Sequence, residues 1–114
     1  MLFRSTYPID LAVLKLYAGR PGEGRGSAMT IGVGWGFWRG VLAGLRIHTI
    51  TPTAASWQRE MLADLPGEGK ERAIALSTAR IPDLALTWGR RKKPHDGIAD
   101  AACLALYGRA RWKP

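Results

Sequence analysis

The sequence predicts an α/β domain, and three observations favour that class. Two short runs, 11–17 and 46–51, are apolar or β-branched and have the length of strands. Longer segments between and after them repeat their apolar residues every three or four positions, as helices do. Hydrophobic residues make up 46% of the chain and charged residues 23%, which argues against wholesale disorder. A chain of 114 residues suits one compact domain with a modest core.

The first half of the chain predicts a strand, a loop, a helix and a second strand. The run 11–17 predicts a buried strand, with a short helix as the open alternative, and the glycine-rich stretch 19–26 predicts a loop. A helix is expected over 27–45, because Ser27 is a suitable N-cap and apolar residues share one face. The alternating run 46–51 predicts a second strand, which ends at Pro52.

A row of glycines marks another face of the predicted helix 27–45. Its members are Gly32, Gly36, Gly40 and Gly44. Each glycine costs about 1 kcal/mol of helix propensity relative to alanine. The row therefore predicts close approach of a neighbouring element.

The second half of the chain predicts mainly helix. Residues 53–65 are expected to be helical or irregular, with Trp57, Met61 and Leu62 or Leu65 turned inward. A turn at 66–69 precedes an amphipathic helix over 70–80. The last predicted helix, 98–107, is opened by Asp96 or Gly97 and ended by Gly108.

Charge is the strongest global feature. Seventeen Lys and Arg residues against nine Asp and Glu give a formal net charge of +8 and a pI of about 10.4. A field of that sign attracts polyanions, meaning DNA, RNA or anionic membrane, although a basic protein that is merely soluble has the same composition. The single cysteine, Cys103, excludes an intramolecular disulfide and a cysteine-only zinc cluster. It predicts a buried thiol in a reducing cytoplasm.

Two aspartates near the C-terminus carry the clearest chemical signal. Asp96 and Asp100 lie four residues apart, so both carboxylates share one face of a helix. Paired carboxylates beside cations are what a magnesium site for phosphodiester chemistry requires. Two structural roles compete with this hypothesis, since Asp96 also suits a helix cap and Asp100 a favourable position in the helix dipole.

The segment His95-Asp96-Gly97-Ile98-Ala99-Asp100-Ala101 resembles the C-terminal catalytic helix of RuvC-type crossover-junction endonucleases, in particular their phage-like branch. Weaker matches stand upstream in the family's order. They are Arg20-Pro21-Gly22-Glu23-Gly24, the helix around 35–42, Thr49 to Pro52 with Trp57, and Gly69 to Ala73. The resemblance covers about 11–111 of one domain spanning 1–114, with 1–10 and 112–114 as tails.

The resemblance implies an RNase H-like fold, a mixed sheet flanked by helices, that lacks its opening strand. It implies a homodimer that cleaves four-way or branched DNA with Mg²⁺, or Mn²⁺, held by four carboxylates. Asp96 and Asp100 match two of these. The other two do not transfer, because the chain begins after the first and Lys15 stands near the second. Cleavage is therefore in doubt, since an ammonium repels a metal ion.

Three hypotheses follow for function. The first is a magnesium-dependent nuclease domain, and the second is a basic DNA-binding module that has lost the metal. Phosphate contacts are expected from Lys70, Arg90, Arg91, Lys92 and Lys93, although the run 90–93 also suits a solvated loop. The third is a membrane span at 27–45, which is disfavoured because Arg39 at its middle costs about 2.5–3.5 kcal/mol on insertion scales.

Overall fold

The computed structural model describes residues 8–17, 22–87, 92–94 and 96–113. In chain order these form β1 (Ala12–Val13), α1 (Arg25–Gly44), β2 (Thr49–Ile50), α2 (Ala54–Leu62), α3 (Gly69–Arg80) and α4 (Asp96–Arg111). The chain divides into two compact units, Met1–Thr53 and Ala54–Pro114. The expectation of a single domain stays a prediction.

The first unit is a β–α–β arrangement. β1 and β2 are parallel, with Ala12 opposite Thr49 and Val13 opposite Ile50. Two further amides continue the pairing, since Leu14 donates to the carbonyl of Ile50 at 3.0 Å and Leu16 to that of Pro52 at 2.9 Å. Parallel neighbours need a crossover connection, and α1 supplies it. The two predicted strands therefore exist, but each is only two residues long.

Two side chains of the first unit tie α1 to the segment that follows β1. The indole Nε1 of Trp35 donates to the carbonyl of Lys15 at 2.8 Å. The hydroxyl of Tyr17 donates to Glu23 Oε1 at 3.0 Å and lies 3.3 Å from the carbonyl oxygen of Ala28. These bonds hold one side of α1 against the residues that follow β1.

Helix α1 begins earlier than predicted, and a left-handed residue that is not glycine follows its C-terminus. The helix begins at Arg25 after an extended Gly24 that makes no side-chain cap, so the expectation of a cap at Ser27 is wrong. At its C-terminus Ile47 donates to the carbonyl of Leu42 at 3.0 Å, and Arg46 to that of Ala43 at 3.0 Å. This is the Schellman pattern, in which a left-handed residue is usually glycine. Here Arg46 takes that conformation, with φ of 58°.

The second unit is three helices around a small core. Its buried members come from α2, α3 and α4: Trp57, Leu62, Ala73, Ser77, Ala99, Ala102, Cys103, Leu104, Leu106, Tyr107 and Gly108. Trp57 and Leu62 are inward as the periodicity of 53–65 predicts. The thiol of Cys103 lies 3.5 Å from the carbonyl oxygen of Ala73, which joins α4 to α3.

The expected RNase H-like fold is wrong. Helix accounts for 59% of the described residues and strand for 4%, and the sheet has two strands where a mixed, flanked sheet was predicted. The physical reason is that nothing extends the pair, because the regular elements described after β2 are all helices. No helix in the described ranges is long and apolar enough to cross a membrane, which includes α1 at the predicted span 27–45.

Candidate nucleic-acid interface

The two predicted acids and one predicted cation meet at the start of α4. Asp96 is the first residue of that helix, and Asp100 follows one turn later. Lys70, the second residue of α3, places its Nζ 3.3 Å from Oδ2 of Asp96. The side chains are 82% and 41% exposed, respectively, so the ion pair is at the surface. The sequence predicted these two residues for separate roles, and the structure brings them together.

Lys70 sets the ionisation of Asp96. A hydrogen bond from Lys70 is the largest cause that lowers the pKa of Asp96, and the lysine's charge adds to it. Desolvation opposes these two effects of Lys70, and smaller contributions from backbone hydrogen bonds at Asp96 and Gly97 lower the pKa further. The carboxylate therefore stays ionised. Its contacts fit a residue that starts a helix, which is the structural role weighed above.

Asp100 acts on the interior of the second unit. It is half-buried on α4, three residues before the fully buried Cys103. Burial raises the pKa of the Cys103 thiol to about 11, and the negative charge of Asp100 contributes to that rise. The thiol is consequently protonated at neutral pH and inert, as its apolar flanks predict.

The acid pair fits a divalent metal poorly. Within the described ranges no group of three or more His, Cys, Asp or Glu residues lies together in a way that could hold a metal ion. The ammonium of Lys70 already lies against Asp96 and would repel a second cation there. No step is therefore assigned to Mg²⁺ or Mn²⁺, and the magnesium requirement stays a prediction.

Three lysines lie near the start of α4. Lys92 and Lys93 are exposed and precede Asp96 by four and three residues. A chain of that length spans at most about 14 Å, so both lysines belong to the same end of the helix as Lys70. Arg90, Arg91 and the neighbouring His95 lie outside the described residues. Three of the five cations that the sequence predicts to contact phosphate therefore lie near the start of α4.

A second basic group lies at the other end of α4, and the site prediction did not include it. Arg109 and Lys113 are exposed there. Arg111 forms a fork with both carboxylate oxygens of Glu60 on α2, one of them at 2.8 Å, and its guanidinium lies 3.6 Å from the centre of the Tyr107 ring. Arg111 is therefore structural. The sequence does contain a signal for this basic group, because the residues after Asp100 include no Asp or Glu.

Exposed tryptophans can stack on nucleic-acid bases, and Trp57, Trp88 and Trp112 are the candidates in this sequence, with packing as the competing role of each. Trp57 has no exposed surface, so it cannot stack on a base in this structure. Trp112 is 40% exposed beside the basic end of α4, so its ring is accessible for stacking on a base. Trp88 lies outside the described residues.

Comparison of the chain with models of protein families, with curated proteins and with solved structures finds no match.

Proposed function

We propose that the chain binds DNA through the phosphate backbone and does so without catalysis. The observation that carries this proposal is the pair between Lys70 and Asp96, because it puts a cation where a nuclease would need a metal. The net charge of +8 supplies the attraction to a polyanion. A reducing cytoplasm suits the single buried thiol.

The two basic ends of α4 define the contact surface in this proposal. Lys70, Lys92 and Lys93 stand at one end, and Arg109 and Lys113 at the other. A helix of 16 residues is about 24 Å long. On one strand of duplex DNA, where phosphates recur about every 3.4 Å of helix axis, that length corresponds to about seven nucleotides.

DNA, and branched DNA in particular, is supported by the resemblance of the segment 95–101 to the RuvC-type enzymes. Four-way junctions are therefore the first ligand to test. The magnesium-dependent nuclease remains the competing hypothesis, and the same assay separates the two. A binding module requires no metal and leaves the junction intact.

The experiment measures anisotropy of a labelled four-way junction, beside a duplex of equal length, in EDTA and then in Mg²⁺ over a salt series. We expect binding in EDTA whose logarithm falls linearly with the logarithm of salt. Replacing Lys92 and Lys93 by alanine should reduce the slope by roughly 0.9 for each phosphate that the variant no longer neutralises. Arg25→Ala, which removes a cation from the first unit, is the control and should change affinity less.

Three results would contradict the proposal. They are binding that salt does not weaken, binding that requires Mg²⁺, and a junction that is nicked when Mg²⁺ is added. The last result would favour the nuclease hypothesis.

A further inference from the structure

The C-terminal end of α4 places an aromatic ring beside two cations. The amide of Trp112 donates to the carbonyl of Gly108 at 2.9 Å, so the helical hydrogen bonding continues one residue beyond Arg111. Arg109 precedes Trp112 by three residues and Lys113 by four, a spacing that makes side chains neighbours on a helix surface. All three residues are exposed, and together they form the Trp112 surface.

Packing fixes the end of α4 that carries the Trp112 surface. Gly108 is buried in the second unit, and Arg111 binds both carboxylate oxygens of Glu60 on α2 while its guanidinium covers the ring of Tyr107. A side chain held by a packed helix loses less conformational entropy on binding than one on a free tail. Because Arg111 neutralises Glu60, the charge of that acid does not cancel the two cations of the Trp112 surface.

We propose that the Trp112 surface binds unpaired DNA bases, a specificity that rests on the proposed DNA binding and refines it. Bases within a duplex stack on one another, so an indole reaches the face of a base where the strand is unpaired. Proteins that hold single strands combine stacking rings with cations that follow the backbone. Trp112 stacks on one base, and Arg109 and Lys113 contact the neighbouring phosphates.

The chemistry of this surface selects a nucleic-acid strand as its occupant. A nucleotide offers both groups that the surface complements, because its base is planar and its phosphate is anionic. An acidic peptide would satisfy the cations but would leave the indole without a ring to stack on.

The two ends of α4 define the class of DNA more closely. Lys70, Lys92 and Lys93 at the start of the helix can contact phosphates of paired or unpaired DNA. The indole at the other end distinguishes the two. The ligand that fits both ends is a duplex that continues into a single strand.

The test compares the anisotropy of two labelled ligands in EDTA. One is a blunt duplex, and the other is the same duplex with a thymidine overhang of about seven nucleotides, which matches the length of α4. The wild type should bind the overhang ligand more tightly. Trp112→Ala should weaken that binding roughly 5- to 100-fold and change binding of the blunt duplex far less. Trp38→Ala, which removes an exposed indole from the first unit, is the matched control and should leave both affinities unchanged.

Salt dependence separates stacking from charge. Stacking releases no counterions, so Trp112→Ala should lower the affinity at every salt concentration and keep the wild-type slope. Arg109→Ala should instead flatten the slope by roughly 0.7 for each single-strand phosphate that it no longer neutralises. Trp112→Phe keeps a ring and should retain much of the affinity that Trp112→Ala loses.

The inference and the proposed function fail in different ways. If neither ligand binds, the proposed function is wrong and the inference falls with it. If both ligands bind the wild type equally, or Trp112→Ala holds the overhang as tightly as the wild type, the inference is wrong and the proposed function stands. Urea unfolding should show wild-type stability in Trp112→Ala. A loss of stability with unchanged binding would overturn the inference and assign Trp112 to packing.

Discussion

Lys70 Nζ lies 3.3 Å from Asp96 Oδ2, so the first residue of α4 is neutralised by the second residue of α3. The two residues are 26 positions apart in the sequence. Their pairing assigns Asp96 to the helix–helix contact and leaves the acid pair a poor metal site.

Acid should lower the stability of the second unit, because two of its carboxylates become protonated. The pKa values of Asp96 and Glu60 are lowered, chiefly by hydrogen bonds from Lys70 and Arg111, respectively. A lowered pKa in the folded state means stability that is present above the unfolded pKa and lost as pH falls through the folded one. Urea unfolding from about pH 5 to about pH 2 should show this loss.

Asp96→Asn and Glu60→Gln should each flatten that acid limb. Asp64→Asn, on the exposed turn after α2, is the control and should leave the limb as steep as in the wild type. Identical limbs in Asp96→Asn and the wild type would contradict the role of the Lys70 pair.

Arg46 should limit the stability of the first unit. It holds the left-handed position of the Schellman motif after α1, where a Cβ costs about 1–2 kcal/mol and glycine avoids that cost. Arg46→Gly should therefore raise the free energy of unfolding by about 1 kcal/mol in chemical denaturation. Arg46→Ala keeps the Cβ and should give no such gain. Equal effects of the two variants would refute the explanation.

Two substitutions of Trp57 should lower the stability of the second unit by very different amounts. It is fully buried, and its Nε1 has no hydrogen-bond partner among the described residues. Trp57→Ala should cost about 3–5 kcal/mol, because it empties the core of the second unit. Trp57→Phe loses less volume and also removes an unpaired donor, which costs about 1–3 kcal/mol when buried, so it should be far milder. Equal losses of stability in thermal unfolding would show that the indole nitrogen has a partner.

Cys103 should be unreactive until the second unit opens. Burial raises the pKa of its thiol to about 11, so at pH 8 about one molecule in a thousand carries the thiolate. Reaction with a coloured disulfide reagent should be slow in the native protein and fast in denaturant. Fast native labelling at pH 8 would contradict the burial of this residue.

The sequence predicted elements better than it predicted their assembly. Periodicity located three of the four described helices, because an apolar face is a local signal, and it left the segment of α2 open as helical or irregular. It ended the last helix at Gly108, whereas α4 runs on to Arg111, since Gly108 is buried in helix packing and Arg111 bonds to Glu60. The size of the sheet was predicted wrongly, because a strand-like run of residues does not show how many other strands will pair with it.

The sequence named candidate site residues, but it did not predict which of them lie next to each other. Lys70 and Asp96 were both expected to have functional roles, yet nothing local to either residue indicates that they form a pair. The surroundings of the glycine row on α1 were predicted wrongly for a similar reason. The glycine row indicated a close neighbour, and only the structure shows that most of the row faces open space.

The most direct test of the proposed function is the junction affinity of Asp96→Asn in EDTA. The substitution removes a negative charge and releases Lys70 to contact a phosphate, so binding should tighten and the salt slope should steepen by up to about 0.9. Asp64→Asn removes the same charge away from that pair and should tighten binding less. If Asp96→Asn instead weakens binding, or abolishes nicking that Mg²⁺ supports in the wild type, Asp96 belongs to a metal site and the proposed function is wrong.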